Sequence, residues 1–210
     1  QDLGICFLDT APAYGSSEER LGKLLGKRQD WVIATKVGEE FENGQSRFDF
    51  SGQHTRFSIE RSLRRLATDY LDIVLIHSDG NDEEIIHNSG CLEALQDCQQ
   101  KGLVRAIGMS TKTIAGGLLA AQEMDLVMVT YNLEQQDKAV VEYAHAHNKG
   151  ILVKKGLMSG HLRTSRKDPV LASLEFIFAE PGVSSVIVGS IDPIHMLHNV
   201  TMAKKALGIS

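Results

Sequence analysis

The sequence predicts an α/β fold of the (β/α)8 barrel class, and three observations predict it. Short apolar runs rich in Val, Ile and Leu recur along the 210-residue chain, separated by amphipathic stretches. The runs barely alternate, which suits parallel strands buried on both faces. No GxGxxG segment follows any run, while polar residues stand just past several of them. That favours the active rim of a barrel over the phosphate turn of an open doubly wound sheet. Seven strand–helix units in series, without a composition break, give one domain over residues 1–210. A closed barrel takes eight strands, so either the first βα unit lies outside these residues or the barrel is partial.

The strand-like runs are Ile5–Leu8, Trp31–Thr35, Ile73–Ile76, Val104–Ile107, Leu126–Thr130, Ile151–Val153 and Ser185–Val188. Helical patterns fill residues 16–26, 57–69, 90–101, 112–123, 138–148, 169–180 and 193–207. The first opens with Ser16 and Glu19 at capping-box spacing and carries Leu21, Leu24 and Leu25 on one face. The second has a stripe of Ile59, Leu63 and Leu66. In the last, Ile194, Leu197, Val200 and Leu207 share a face behind Pro193, a residue suited to a first helical turn. Between them, residues 38–55 read as one long polar connection. Its Phe41, Phe48 and Phe50 either wall a substrate pocket or anchor a mobile loop.

Composition narrows the function classes. Hydrophobic residues make up 42% and charged residues 23%, as in ordinary globular domains, and the formal net charge of −5 leaves no basic footprint for nucleic acid. No run approaches the ~18 apolar residues of a membrane span, and no charged-then-apolar signal pattern opens the chain. Cys6, Cys91 and Cys98 are odd in number and lack CxxC spacing, so a reducing cytoplasm is the expected location. Cys91 and Cys98, seven apart, read as one buried helix face. His54, His87, His145 and His147 show no ligand grouping, and no metal is expected.

The informative feature is where the strands stop. The first ends on Asp9, with Tyr14 in the loop behind it; the second ends on Lys36 and the third on His77. Alone, each has an ordinary explanation: a loop cap, a rim charge, a satisfied core histidine. In a parallel barrel, however, the strand ends share one rim, and the four side chains meet there. A phenol holds its proton to a pKa of about 10, and a nearby ammonium lowers that value, making a better general acid. Lys36 is placed to supply the charge, Asp9 to hold Lys36, and His77 to orient a carbonyl oxygen. Such a site protonates a carbonyl oxygen while a second group attacks its carbon.

The segments FLDTAPAYGSSEERLG, VIATKVG, LDIVLIHSDG, GLVRAIGMST and VGSIDPIHMLHNV, in that order, resemble the motifs of the aldo-keto reductase superfamily over nearly the whole chain. The resemblance implies a (β/α)8 TIM barrel and nicotinamide-dependent reduction of aldehydes or ketones. Its catalytic tetrad falls on Asp9, Tyr14, Lys36 and His77, with Tyr14 the proton donor. It also implies that the first barrel strand and helix precede the opening motif.

The same resemblance assigns the cofactor. Ser110 faces the carboxamide, with Thr111 where the family often has Asn. Met128 aligns with a common glutamine, and Lys154 stands where an aromatic often stacks on the nicotinamide. Lys154 and Lys155, with a turn at 157–160, suit a pyrophosphate by charge attraction. Gly189 and Ser190 would sit by the 2′-phosphate and Asn199 by the adenine, near a helix start that attracts anions. The family often has Arg at the position of His195, a fixed fork that neutral histidine lacks. NADPH is the expected cofactor and NADH the alternative. Two other readings stand beside carbonyl reduction: a cofactor-binding sensor or regulatory module, and a Schiff-base lyase using Lys36 or Lys154. The expected partner is a small carbonyl compound, neither nucleic acid nor membrane.

Overall fold

The computed structural model describes residues 2–158 and 168–209. They form two compact units, Ile5–Val127 and Met128–Ser210, the latter with Gln1–Gly4.

The first unit runs β1 (Phe7–Asp9), α1 (Ser17–Leu24), β2 (Val32–Val37), β3 (Glu39–Glu42), β4 (Gln45–Phe48), α2 (Gly52–Arg65), β5 (Leu71–His77), α3 (Asp82–Asn88), α4 (Cys91–Gln100), β6 (Val104–Ser110) and α5 (Ile114–Glu123). Four strands pair in parallel in the order β1-β2-β5-β6, while β3 and β4 form a separate antiparallel hairpin. The near-continuous apolar character of the parallel strands has its cause in burial: Ile33, Ala34, Leu71, Val74, Leu75 and Ile76 are all fully buried. Ile59 of α2 and Cys91, Ala94, Leu95 and Cys98 of α4 are buried beside them, so the seven-residue cysteine spacing does mark one core face. Where α1 meets the end of α2, a Cβ on Gly22 would lie 2.1 Å from the Arg65 carbonyl oxygen, which leaves glycine the only fit.

Three local expectations need correcting here. Ser16 does not cap α1: its backbone (φ −86°, ψ 18°) is not extended, no side-chain cap bond forms, and Glu19 instead pairs with Arg65 at 2.8 Å. Residues 38–55 are not one loop. They fold into the β3–β4 hairpin and the first turn of α2, which Ser51 caps by accepting from the His54 amide. Helix α3 lies in a stretch that the apolar pattern left blank.

The second unit takes up β7 (Leu126–Thr130), α6 (Lys138–Ala146), β8 (Gly150–Lys154), α7 (Pro169–Phe178), β9 (Ser185–Val186) and α8 (Pro193–Leu207). Its strands follow the order β7-β8-β9, with Leu152 beside Ser185 and Val153 beside Val186 in parallel register. Asp168 and Asp192 cap α7 and α8 by accepting from backbone amides, and each helix begins on a proline. The expected apolar face of α8 is not buried: Ile194, Leu197 and Leu207 are exposed, and among the described residues no α8 side chain is buried. No helix described is long and apolar enough to cross a membrane.

Candidate active site

Strand register assembles the site. Asp9 on β1 stands beside Ala34 on β2, and Lys36 follows two residues on, on the same sheet face. Lys36 stands beside Leu75 on β5, and His77 again follows by two; His77 in turn stands beside Ser110 on β6. Four neighbouring parallel strands therefore deliver Asp9, Lys36, His77 and Ser110 to one rim.

Lys36 is the deepest of them, with 2% of its side chain exposed. Its Nζ donates to both Asp9 carboxylate oxygens, at 2.7 and 2.8 Å, and to the Thr10 carbonyl oxygen at 2.9 Å. All three ammonium protons thus have acceptors. The same nitrogen lies 4.7 Å from the centre of the Tyr14 ring, and that ring stands edge-on to His77 with centroids 6.2 Å apart. Tyr14 itself is 46% exposed, with its ring over a buried charge pair.

The electrostatics correct one expectation. Burial pushes the Lys36 ammonium below its ordinary pKa, opposed by Asp9, Glu39 and Glu18; burial pushes Asp9 up, opposed by Lys36. The Tyr14 phenol is not lowered by Lys36 but pushed up to about 12, first by burial and then by the negative charges of Asp9 and Glu39. Lys36 is already neutralised by Asp9 and faces the ring, so its field at the phenol is outweighed. Tyr14 therefore holds its proton across the whole working range. A phenol raised to about 12 is still a stronger acid than an alcohol.

Two carboxylates of this site went unnoticed in the sequence. Glu18, fully buried in α1, accepts from Thr35 Oγ1 at 2.7 Å and pairs with Arg65 at 3.3 Å. Glu39, which opens β3, places Oε2 2.6 Å from His77 Nδ1. That contact is an ion pair when the imidazole is protonated. Glu39 had a readable signal: it stands two residues past the end of the parallel strand that carries Lys36.

The residues assigned to the cofactor divide in two. Ser110 and Thr111 are buried in the first unit. In the second, Met128 is buried in β7 and Lys154 ends β8, while Lys155, Gly189, Ser190, His195 and Asn199 line a cavity of about 620 Å³, to which His198, not among the assigned residues, also contributes. Of the 157–160 turn, Ser159 and Gly160 lie outside the described residues.

The donor chemistry of this cavity suits an adenosine phosphate. Apolar wall residues, including Ile187 and Val188, accompany the Lys155 ammonium and the Asn199 amide, and the volume falls within the range of ligand pockets. The polar lining is tempered by acid. His198 pairs with Asp168 at 3.2 Å and His195 with Asp192 at 3.8 Å. Ser190 Oγ donates to the Asp192 carbonyl at 3.0 Å and accepts its amide at 3.1 Å.

The chain is similar to known proteins in sequence and in fold. The sequence signature of the Aldo/keto reductase family matches residues 1–170. A Pseudomonas aeruginosa structure described only by family, as an aldo-keto reductase, superposes with TM-score 0.93 at 56% identity, covering 98% of this chain and 80% of that one. Among curated proteins, L-galactose dehydrogenase of Arabidopsis thaliana is 42% identical over 51% of this chain and 34% of its own length. Aldo-keto reductase YhdN of Bacillus subtilis is 31% identical over 77% of this chain and 50% of its own length. The chain thus spans half or less of the length of these two relatives. A family signature over most of the residues, lying on a rim of Asp, Tyr, Lys and His, settles the kinship: the chain belongs to the aldo/keto reductase family.

Proposed function

We propose that the chain is an NAD(P)H-dependent oxidoreductase that interconverts aldehyde or ketone carbonyls and alcohols, and that its catalytic groups are Tyr14, Lys36, Asp9 and His77. The observation that carries the reading is the buried Lys36–Asp9 pair beneath the Tyr14 ring, with His77 edge-on to it. When bound, the reduced nicotinamide supplies a hydride to the carbonyl carbon. The chain's own part is proton chemistry. Tyr14 donates its phenolic proton to the carbonyl oxygen as that oxygen gains negative charge, leaving an alcohol and a phenolate that solvent reprotonates. Lys36 stabilises the phenolate through the ring face, Asp9 keeps Lys36 in place, and His77 donates a hydrogen bond to the same oxygen.

The cofactor assignments belong to this proposal. Ser110, Thr111, Met128 and Lys154 would hold the nicotinamide end. Lys155, Gly189, Ser190, His195 and Asn199 would hold the adenosine phosphate, NADPH being preferred by family habit. The single domain of (β/α)8 type expected from the sequence is proposed with it, supported by the strand–helix alternation and the family match. Sugar-like aldehydes are the first substrates to try, because one relative is named for a sugar. A Schiff-base role for Lys36 is disfavoured by its three hydrogen bonds and its burial.

The test is loss of NADPH absorbance by the purified 210-residue chain across a panel of aldehydes, ketones and aldoses. Turnover is expected, and Tyr14→Phe should lower kcat by about 10²–10⁴-fold, the range for losing a general acid. Cofactor binding without turnover across the panel would instead support a sensor module.

A further inference from the structure

The histidine of the site is held by a residue that no part of the tetrad includes. Gly38 follows β2 with φ +100°, and the space where its Cβ would stand is taken by the Phe50 ring, 2.3 Å away. That turn starts the β3–β4 hairpin, and the two glutamates that follow point to opposite faces, as strand neighbours must. Glu40 turns to α2, where it pairs with Arg61 at 2.5 Å and His54 at 3.2 Å, fastening the hairpin. Glu39 turns to the rim. Its Oε1 accepts from Ser46 Oγ across the hairpin at 2.6 Å, and its Oε2 meets His77 Nδ1 at 2.6 Å. The glutamate side chain is 16% exposed and the histidine 22%, so the pair is only partly screened by water.

We propose that Glu39 is a positioning residue for carbonyl reduction: its carboxylate clamps His77 at Nδ1 and holds the imidazole in its doubly protonated form, which gives Nε2 a proton to donate to the carbonyl oxygen. This rests on the carbonyl-reducing reading of the site. The chemistry follows from the ring's inventory. A neutral imidazole that keeps its proton on Nδ1 has only an acceptor at Nε2 and cannot support a carbonyl oxygen. A carboxylate beside Nδ1 favours the charged ring, in which both nitrogens donate. Tyr14, Lys36 and Ser110 do not supply that charge. Tyr14, from the β1–α1 loop, is neutral; Lys36 on β2 would oppose a second cation but is matched by Asp9 on β1. Ser110 on β6, the register neighbour, is uncharged.

The experiment compares wild type, Glu39→Gln, Glu39→Asp, His77→Gln and the Glu39→Gln/His77→Gln double variant. Readouts are kcat and KM with NADPH and a reactive aldehyde, NADPH affinity by fluorescence, and ¹⁵N NMR of the His77 ring at neutral pH. Glu39→Gln keeps size and the Ser46 bond but removes the charge. It should lower kcat about 10- to 100-fold, as losing a charged partner of the reacting group would, with NADPH affinity and melting temperature unchanged. Glu39→Asp should recover part of that loss, and the double variant should be no slower than His77→Gln alone. The imidazolium ¹⁵N signature should be present in wild type and absent in Glu39→Gln. Wild-type kcat in Glu39→Gln, an additive loss in the double variant, or an identical His77 signature in both proteins would overturn the inference. If wild type shows no turnover at all, the functional reading fails, and the NMR comparison alone decides whether Glu39 governs the His77 ring.

Discussion

Lys36 Nζ sits between the two carboxylate oxygens of Asp9, at 2.7 and 2.8 Å, with almost no solvent at the lysine. Both charges are held against burial: the lysine's pKa is driven down and the aspartate's up. Each partner alone would be a buried, uncompensated ion. Asp9→Asn should therefore destabilise the chain by about 3–5 kcal/mol in denaturant unfolding, the usual cost of breaking a buried pair from one side. The double variant Asp9→Asn/Lys36→Met should recover most of that stability, or exceed wild type, while remaining inactive. A double variant as unstable as the single would show that the pair also stabilises the fold.

Tyr14 should ionise late. A raised phenol favours the folded state below the ordinary value near 10, and that contribution is lost as pH rises through about 12. The tyrosinate absorbance titration of wild type minus that of Tyr14→Phe isolates this residue from the other three tyrosines. The difference curve should have its midpoint near 12. A midpoint below the ordinary phenol value would mean that Lys36 does dominate the phenol.

Gly38→Ala should damage stability and turnover together. The φ of +100° is a left-handed conformation that alanine resists, and the new Cβ collides with Phe50. A loss of about 1–3 kcal/mol is expected in thermal unfolding. Because Glu39 is the next residue, kcat should fall further than the stability loss explains, with NADPH affinity unchanged.

At the second-unit cavity, His195→Arg should tighten NADPH about tenfold and leave NADH nearly unchanged, since a guanidinium grips a phosphate bidentately where histidine does not. Asp192, 3.8 Å from the His195 ring, limits the gain. Fluorescence titration with both cofactors checks it. Equal tightening of the two would place the 2′-phosphate elsewhere.

The strands were legible because buried parallel strands leave an apolar run: Leu126–Thr130 falls where the pattern puts it, and Ile73–Ile76 forms the centre of the observed Leu71–His77. Asp9, Lys36 and His77 were legible as candidates because each terminates such a run, and Tyr14 because it follows closely behind the first. The hairpin was not. Its strands are four residues each and largely exposed, with charged and polar residues that carry no apolar period, so Glu39 looked like loop charge. Glu18 was hidden for a different reason: a glutamate in a helix's first turn usually faces water, and here the Thr35 hydroxyl and Arg65 bury it. The direction of the Tyr14 shift needed distances, since sequence alone cannot show that Asp9 consumes the charge of Lys36. The exposed face of α8 shows the converse, a helical apolar period that does not report burial.

The central claim is that Tyr14 protonates a carbonyl oxygen as hydride reaches the carbon. Its most direct test uses NADPH deuterated at C4 with the purified chain and a reactive aldehyde, reading the alcohol product by mass spectrometry. One deuterium should appear on the carbinol carbon with wild type, and the yield should collapse with Tyr14→Phe while NADPH binding persists. Bound cofactor with no label in the product, or undiminished transfer by Tyr14→Phe, would contradict it.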